Sequence, residues 1–284
     1  MATNEYGASR AAIAAHYDVS DEFYELWLGR TLTYSCALWS DGDSLEAAQL
    51  RKLDYHAREV GCPGARRVLD IGCGWGSMLN RLAEIHHVDQ VVGITLSRAQ
   101  EARIRRRNKL RQIDVRFSSW ETYGASEQYD GIVSIGALEH FVRPGLSSCD
   151  RIDVYRNFFE KCRSLLRPGG RLSLQTSAYA RGAFVTGAIA SIFPESDLPR
   201  LSELITAAEG VLEVVSIRND RNDYAKTCNA WLRALRRRRS DAVLLVGEGT
   251  VHLYESFLEA AVKGFEREIF HLLRITLSRF DPPR

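Results

Sequence analysis

A glycine-rich turn contains the residues with the clearest chemical potential. Residues 67–71 (RVLDI) form a short apolar run that includes Asp70 and is followed by Gly72, Gly74 and Gly76. Such a run predicts a buried parallel strand that leads through a turn into a helix. The glycines allow a ligand to approach the free N–H groups at the helix N-terminus. Asp70 favours a cationic amino group there, because a carboxylate repels a pyrophosphate.

Polar and aromatic residues follow the next two predicted strands. Thr95 and Gln100 come after the second strand, where they could meet ribose hydroxyls. Trp120 and Glu121 come after the third strand and offer adenine an aromatic face and an acceptor, although Trp120 alone is equally consistent with core packing. S-adenosylmethionine combines an ammonium, a carboxylate, a ribose and an adenine. The order of these residues therefore predicts S-adenosylmethionine as the cofactor.

Strand-like and helix-like segments alternate along the middle of the chain. This alternation predicts an α/β fold with a doubly wound parallel sheet and a ligand site at the carboxyl ends of its strands. Strands are predicted at residues 67–71, 91–95, 114–117, 131–135 and 171–176, and helices at residues 97–110 and 154–166.

The flanking regions predict additions to this core. Residues 1–60 are expected to form an N-terminal helical cap, and residues 61–284 the core. Within the core, a substrate lid is expected around residues 178–210, helices within residues 224–265, and a closing strand at residues 270–277. No internal repeat or low-complexity linker separates independent domains.

Composition limits the class of protein. The 284 residues include 38 basic and 36 acidic side chains and are 45% hydrophobic, which excludes a disordered or collagen-like chain. The six cysteines show no C-x-x-C pair, so we expect reduced thiols, no metal site and a cytoplasmic location. No secretory signal or bilayer-spanning run is apparent, and any membrane contact is expected to be peripheral.

Two arginine-rich runs stand out, at residues 102–111 and 233–239. We interpret them as solvated helix faces, with an anionic lipid, carrier protein or nucleic acid as the alternative partner. A nucleic-acid partner is disfavoured, because no aromatic-rich basic motif accompanies either run.

Several longer segments extend the argument beyond the glycine turn. The chain resembles the cyclopropane-fatty-acid-synthase and mycolic-acid-cyclopropane-synthase family of S-adenosylmethionine-dependent methyltransferases. The resemblance covers nearly the whole chain, and its most specific segments are AHYDVSDEFYELWLG, TYSCALWS and IFPESDLPRLSEL. It implies a Rossmann-like class I methyltransferase with a helical cap and an inserted helical lid. It also implies that the acceptor is an alkene, commonly within a lipid chain.

The resemblance also implies roles for individual residues. On the cofactor, Tyr34, Ser35, Gly72 and Gly74 contact the methionine part, Thr95 and Gln100 the ribose, and Trp120 and Glu121 the adenine. At the reacting centre, Tyr17 stabilises a carbocation, while Cys36, Glu139, His140 and Tyr224 surround a bound bicarbonate that serves as the base.

One position departs from the family pattern. Gln175 precedes Thr176 where the family commonly carries histidine. An amide cannot accept a proton at neutral pH, so bicarbonate is expected to be poorly supported. We therefore expect C-methylation of a prenyl or terpenoid alkene, through a carbocation that cyclises or loses a proton. This behaviour resembles the natural-product branch of the family, which includes the teleocidin-forming methyltransferase.

Other functions remain open at this stage. One alternative is a cyclopropane synthase or methyltransferase acting on unsaturated fatty acyl or phospholipid chains. A second is an N- or O-methyltransferase of a small metabolite, for which His140 is the candidate base. Exchange of the aromatic N-terminal helix between copies would give a homo-oligomer.

Overall fold

The computed structural model describes residues 6–9, 11–13, 19–180 and 187–280. A seven-stranded sheet has the order β3-β2-β1-β4-β5-β7-β6. The strands are β1 Arg67–Ile71, β2 Gln90–Thr95, β3 Ile113–Phe117, β4 Tyr129–Ile135, β5 Leu166–Tyr179, β6 Glu213–Asn219 and β7 Phe270–Ser278.

Strands β1 to β5 pair in parallel, as the sequence predicts, but β7 runs antiparallel to both β5 and β6. The parallel sheet predicted for the alternating span is therefore confirmed, and the closing strand β7 extends it in the antiparallel direction. A buried apolar run such as FHLLRITLS carries no information on strand direction, because its alternation is the same in either direction.

The described helices are α1 Asp21–Leu28, α2 Leu45–Glu59, α3 Ser77–Glu84, α4 Arg98–Arg107, α5 Ser148–Leu165, α6 Ala188–Ile192, α7 Leu201–Ala208, α8 Arg221–Arg237, α9 Arg239–Val246 and α10 Glu248–Glu266. A single 3-10 turn, Leu138–His140, follows β4. None of these helices is long and apolar enough to cross a membrane.

Helices cover both faces of the sheet, since alternate strand residues point to opposite sides. Leu69 and Ile71 of β1 belong to a core shared with α5 and α7. Their neighbour Val68 belongs to a second core, shared with α2, α3 and α4. The carboxyl ends of β1, β2 and β4 therefore lie between two packed layers, where a ligand site is expected.

A third core joins the N-terminal region to the C-terminal helices. In α1, Phe23, Tyr24 and Trp27 are fully buried and pack against α8 and α10. The hydroxyls of Tyr24 and Tyr254 lie 2.7 Å apart, and the rings of Trp27 and Trp231 are 5.9 Å apart between centroids. Helix α1 thus packs in one layer with α8 and α10, which lie some two hundred residues away in sequence.

The helix boundaries follow the sequence closely. Gly29 ends α1 with a φ of 83°, and the chain from there to α2 is irregular. The region predicted to hold helices within residues 224–265 contains α8, α9 and α10, of which the short α9 was not predicted separately.

Candidate active site

A cleft of about 680 Å³ opens at the carboxyl ends of β1, β2 and β4. Five of the nine predicted cofactor contacts lie on its wall, namely Gly72, Gly74, Thr95, Gln100 and Trp120. We call this space the cofactor cavity. The structure therefore brings together residues from three successive strand ends.

The glycine turn shapes one side of the cofactor cavity. The N–H groups of Gly72 and Cys73 both donate to the Ile94 carbonyl, at 3.0 and 3.1 Å. Gly72 has a φ of 81°, and a Cβ there would lie 2.6 Å from the Ala137 Cβ. Gly74 has a φ of 54°, and a Cβ there would meet no atom within 4 Å. Side chains at these positions would strain the turn or project into the cavity.

The opposite side provides polar groups and an aromatic ring. Thr95 Oγ1 donates to Gln100 Oε1 at 2.8 Å, so the two candidate ribose contacts hold each other in place. Trp120 packs edge-on against Phe158, with ring centroids 5.4 Å apart. Glu121 is exposed and is not on the cavity wall, so its adenine contact stays a prediction.

A buried pair of opposite charges lies behind the glycine turn. Burial raises the pKa of Asp70 to about 7, although the nearby Lys52 ammonium opposes the shift. Burial, together with Arg274, lowers the pKa of Lys52 to about 7. Lys52 Nζ donates to Ser35 Oγ at 2.7 Å. Ser35, a predicted methionine contact, is therefore held behind the cavity by this lysine.

A second cleft, of about 820 Å³, adjoins the first. We call it the acceptor cavity, and both cavities include Gly136 and His140 in their walls. Its aromatic lining comes from five separate parts of the chain, through Tyr34, Phe193, Tyr224, Phe257, Phe265 and Phe270. Tyr34 thus lies on the acceptor side of the junction.

Glu139 provides a carboxylate in the acceptor cavity. Its Oε1 accepts from the Ser177 N–H at 2.7 Å, while its buried Oε2 has no hydrogen-bond partner among the described residues. Burial raises the pKa of Glu139, and the hydrogen bond from Ser177 opposes that shift. An ionised carboxylate oxygen in this position can accept a proton or stabilise a nearby positive charge.

His140 lies at the junction of the two cavities. Its Nδ1 is 2.7 Å from Ser196 Oγ, and its carbonyl accepts from the Ala8 N–H at 2.9 Å. Burial lowers the pKa of His140 to about 4, so the imidazole is neutral near pH 7. His140 therefore links the N-terminal segment at Ala8 and the segment around Ser196 to the strand ends.

Cys36 and Gln175 are buried behind the acceptor wall and do not line it. Arg274 donates through Nε to Gln175 Oε1 at 3.0 Å and through Nη2 to the Ala37 carbonyl at 3.0 Å. It also forms an ion pair with Asp220. The fully buried guanidinium therefore ties β5, the segment after Tyr34 and the start of α8 together.

These contacts do not form a bicarbonate site. The donors of Arg274 are already engaged, and Gln175 Oε1 is directed to Arg274 and to His56 Nε2 at 3.4 Å. Burial raises the pKa of the Cys36 thiol to about 12, so it is protonated. The Glu139 carboxylate presents an acceptor, which a bound anion does not favour.

Sequence reasoning missed the charged network and most of the acceptor wall. Lys52 and His56 are four residues apart on the buried face of α2, a spacing that could have revealed them. Phe193, Phe257 and Arg274 carry no such signal. The candidate cation-stabilising residue Tyr17 lies outside the described residues.

The arginine runs are largely paired within the chain. Arg103 donates to Asp21 at 2.8 Å, and Arg105 to Glu101 at 3.1 Å. Arg238 pairs with Asp241 at 2.6 Å, and Arg236 and Arg239 also contact acidic side chains. The exposed members of the runs fit the interpretation of solvated helix faces, whereas Arg103 is buried against α1 and does not. Among the described residues, no cluster of three or more metal-ligating side chains occurs.

Comparisons with known proteins agree with this geometry. The profile of the family described as mycolic acid cyclopropane synthetase matches residues 5–275. Cyclopropane mycolic acid synthase 2 of Mycobacterium leprae is 32% identical over 295 residues, covering 94% of this chain and 92% of the relative. The cyclopropane synthase MmaA2 from Mycobacterium tuberculosis superimposes with a TM-score of 0.86 at 30% identity, over 96% of this chain and 99% of the other.

Two further solved structures extend the comparison. Mycolic acid cyclopropane synthase CmaA1, complexed with SAH and CTAB, gives a TM-score of 0.85 at 30% identity over 96% of this chain and 99% of the other. Coclaurine N-methyltransferase gives a TM-score of 0.81 at 19% identity, over 97% of this chain and 84% of the other. The latter likeness concerns the fold alone.

Proposed function

The chain belongs to the mycolic acid cyclopropane synthetase family of S-adenosylmethionine-dependent methyltransferases, and from that premise we propose that it methylates a carbon–carbon double bond in an unsaturated acyl chain. The proposal depends on one observation above all. The cofactor and acceptor cavities meet at Gly136 and His140, beside the unpartnered Oε2 of Glu139.

The cofactor cavity fits S-adenosylmethionine, which supplies an electrophilic methyl group when bound. Gly74 leaves open space at the turn, and Thr95 and Gln100 offer hydroxyl and amide groups suited to a ribose. Trp120 provides an aromatic surface for the base. Asp70 lies at the carboxyl end of β1, where its ionised form favours the ammonium.

The acceptor cavity suits an alkene that develops positive charge. Aromatic faces of Tyr34 and Tyr224 stabilise a cation by their quadrupoles, and the apolar walls exclude water. Glu139 adds a carboxylate oxygen that stabilises the same charge. It then accepts a proton from the transferred methyl group, and the electrons of that C–H bond close a three-membered ring with the cationic carbon. The chain's residues thus perform binding, water exclusion and proton acceptance without a step through bicarbonate.

A prenyl or terpenoid alkene is the second candidate acceptor. The position of Gln175 behind the wall favours it, because the acceptor cavity then holds one proton acceptor and many ring faces. Such a cavity allows a cation to cyclise before it loses a proton. The identities of about 30% to mycobacterial cyclopropane synthases support the acyl chain instead.

An N- or O-methyltransferase is less well supported. That chemistry needs a base near the methyl group, and His140 is the nearest imidazole. Its pKa of about 4 makes it a weak base at neutral pH. The adjoining aromatic surface also offers few groups to orient a polar metabolite.

The test is methyl transfer from labelled S-adenosylmethionine to three acceptor classes. These are vesicles of monounsaturated phospholipid, a linear prenyl diphosphate, and a small secondary amine. The proposal predicts that the label enters the acyl chains and that the product no longer shows olefinic proton signals. Label in the prenyl compound alone establishes the second candidate, and label in the amine alone contradicts both.

A further inference from the structure

A third cleft, of about 900 Å³, lies beyond the lid end of the acceptor cavity. The two clefts share Phe193 and Ser196 in their walls. We call this third space the distal chamber. We propose that Phe193 is the partition that limits the length of the acceptor chain, and that the distal chamber is the continuation of the acceptor path that this ring closes.

Phe193 is held firmly between elements that do not belong to the lid. It follows α6, and its N–H donates to the Ile189 carbonyl at 3.0 Å. Its ring lies 5.7 Å from the His140 ring and 5.6 Å from the Phe257 ring, between centroids. The ring is thus fixed between the 3-10 turn that contains His140 and helix α10.

The segment after Phe193 is also tied down. Ser196 Oγ lies 2.7 Å from His140 Nδ1, and the Asp197 N–H donates to the Val142 carbonyl at 3.0 Å. Tyr179 donates its hydroxyl to Asp197 at 2.6 Å. These bonds hold residues 193–197 against the core, so the partition keeps its position when the cavity fills.

The chemistry of the distal chamber indicates what it can accept. Arg151 donates to Glu203 at 2.9 Å and to the Leu198 carbonyl at 2.5 Å, and it also pairs with Asp197. Arg151 and Arg200 bring two positive charges to the wall, and Asp197 and Glu203 bring two negative ones, so the formal charges balance. The remaining surface includes Leu146 and Pro194. Such a chamber suits the uncharged end of a hydrocarbon chain, because its wall carries no net charge that would attract an ionic group.

This inference rests on the proposed function only in taking the acceptor to be a chain, and its test needs no turnover. Saturated primary alcohols of increasing length are titrated against the full chain saturated with S-adenosylhomocysteine. Affinity is expected to rise about fourfold per methylene while the chain fills the acceptor cavity. It is expected to reach a plateau at the length that contacts Phe193.

Two substitutions at Phe193 move that plateau in opposite directions. In Phe193→Ala the plateau shifts to longer alcohols, and alcohols beyond the wild-type limit gain about tenfold in affinity. In Phe193→Trp the plateau shifts to shorter alcohols. Phe265→Ala is the matched control, because Phe265 lines the acceptor cavity alone. It is expected to change affinity at all lengths without moving the plateau.

An unchanged plateau in both Phe193 variants overturns the inference, as does an equal shift in Phe265→Ala. Neither result bears on whether the wild-type protein methylates alkenes. Conversely, if the wild-type protein methylates only an amine, the proposed function is wrong. The dependence of alcohol affinity on chain length is not affected by that result. The two failures are therefore distinguishable.

Discussion

The two cavities are built in different ways. Apart from Ala8 and Ile13, the cofactor cavity is formed by residues at or just after the ends of β1, β2, β3 and β4, so most of its wall comes from one edge of the sheet. The acceptor cavity takes its aromatic rings from the segment before α2, from α8 and α10, from β7 and from Phe193 beyond α6. Backbone geometry shapes the first cavity, whereas side-chain packing between distant segments shapes the second.

This difference predicts separable effects of mutation. Changes at the cofactor cavity should alter S-adenosylmethionine affinity, and changes at the acceptor cavity should alter the rate of transfer at saturating cofactor. Each variant below tests whether that division holds.

Glu139→Gln should give the largest effect. The amide cannot accept a proton and carries no negative charge, so we expect turnover to fall at least about 100-fold. Cofactor affinity should change less than about threefold, because Glu139 lies on the acceptor side. Steady-state rates on the acceptor found active, together with calorimetric cofactor titration, measure both quantities.

The matched control is Glu160→Gln, an exposed carboxylate on α5 outside both walls, which should keep the wild-type rate. Full activity in Glu139→Gln would remove the carboxylate from the mechanism. A large loss of cofactor affinity in Glu139→Gln would instead show that the two cavities do not act separately.

Gly72→Ala should act on the cofactor side. A Cβ there meets the Ala137 Cβ at 2.6 Å, and the φ of 81° is strained for alanine. We expect the dissociation constant for S-adenosylmethionine to rise about tenfold, a cost of about 1.4 kcal/mol. Gly124→Ala is the control, since a Cβ there meets nothing within 4 Å. Equal affinities in the two variants would show that the turn tolerates displacement.

Cofactor affinity should also depend on pH through Asp70. With its pKa raised to about 7, the carboxyl is protonated below that pH and loses its attraction for the ammonium. Lys52, with a pKa of about 7, gains positive charge over the same range and adds repulsion. Affinity should therefore fall as the pH drops below 7, by up to about tenfold per pH unit.

Asp70→Asn should weaken binding above pH 7 and flatten the part of this dependence that comes from the carboxyl. Calorimetric titration on either side of that pH measures the slope. A slope that is unchanged in Asp70→Asn would assign the dependence to Lys52 alone.

The two cavities also differ in how much of each can be predicted from the sequence. The glycine turn, Thr95 and Gln100 lie on one cavity wall, and the sequence predicts this closeness because short spacing after a strand determines where they lie. Phe257 and Phe265 are eight residues apart in α10, a spacing that ordinary core packing also produces. Only the tertiary fold distinguishes a cavity wall from a core face.

The resemblance to a family has a similar limit. It correctly indicated the fold and placed Glu139 and Tyr224 on the acceptor wall, but Cys36 and Gln175 lie behind that wall. The departure at position 175 is accompanied by Arg274 and His56, which engage the amide. A single-position comparison does not reveal such a network, because its members come from three separate elements.

The smallest effect concerns His140, which belongs to both cavities. Burial lowers its pKa from 6.5 to about 4, so below pH 6.5 the unfolded chain binds a proton that the folded chain does not. Its contribution to the unfolding free energy is therefore present above pH 6.5 and declines as the pH falls towards 4, by at most about 1.4 kcal/mol per pH unit. His56 acts in the same direction, whereas Asp70 and Glu139, with raised pKa values, act in the opposite one.

Because these groups oppose one another, the informative quantity is the difference between wild type and His140→Asn. We expect the variant to lose less stability than wild type as the pH falls from 6.5 towards 4. Urea unfolding at several pH values measures this difference, and His252→Asn, an exposed position on α10, should match wild type. If the unfolding free energies of wild type and His140→Asn change with pH in parallel, burial does not shift the titration of His140. The junction would then be open to solvent, and the two cavities would share an open boundary.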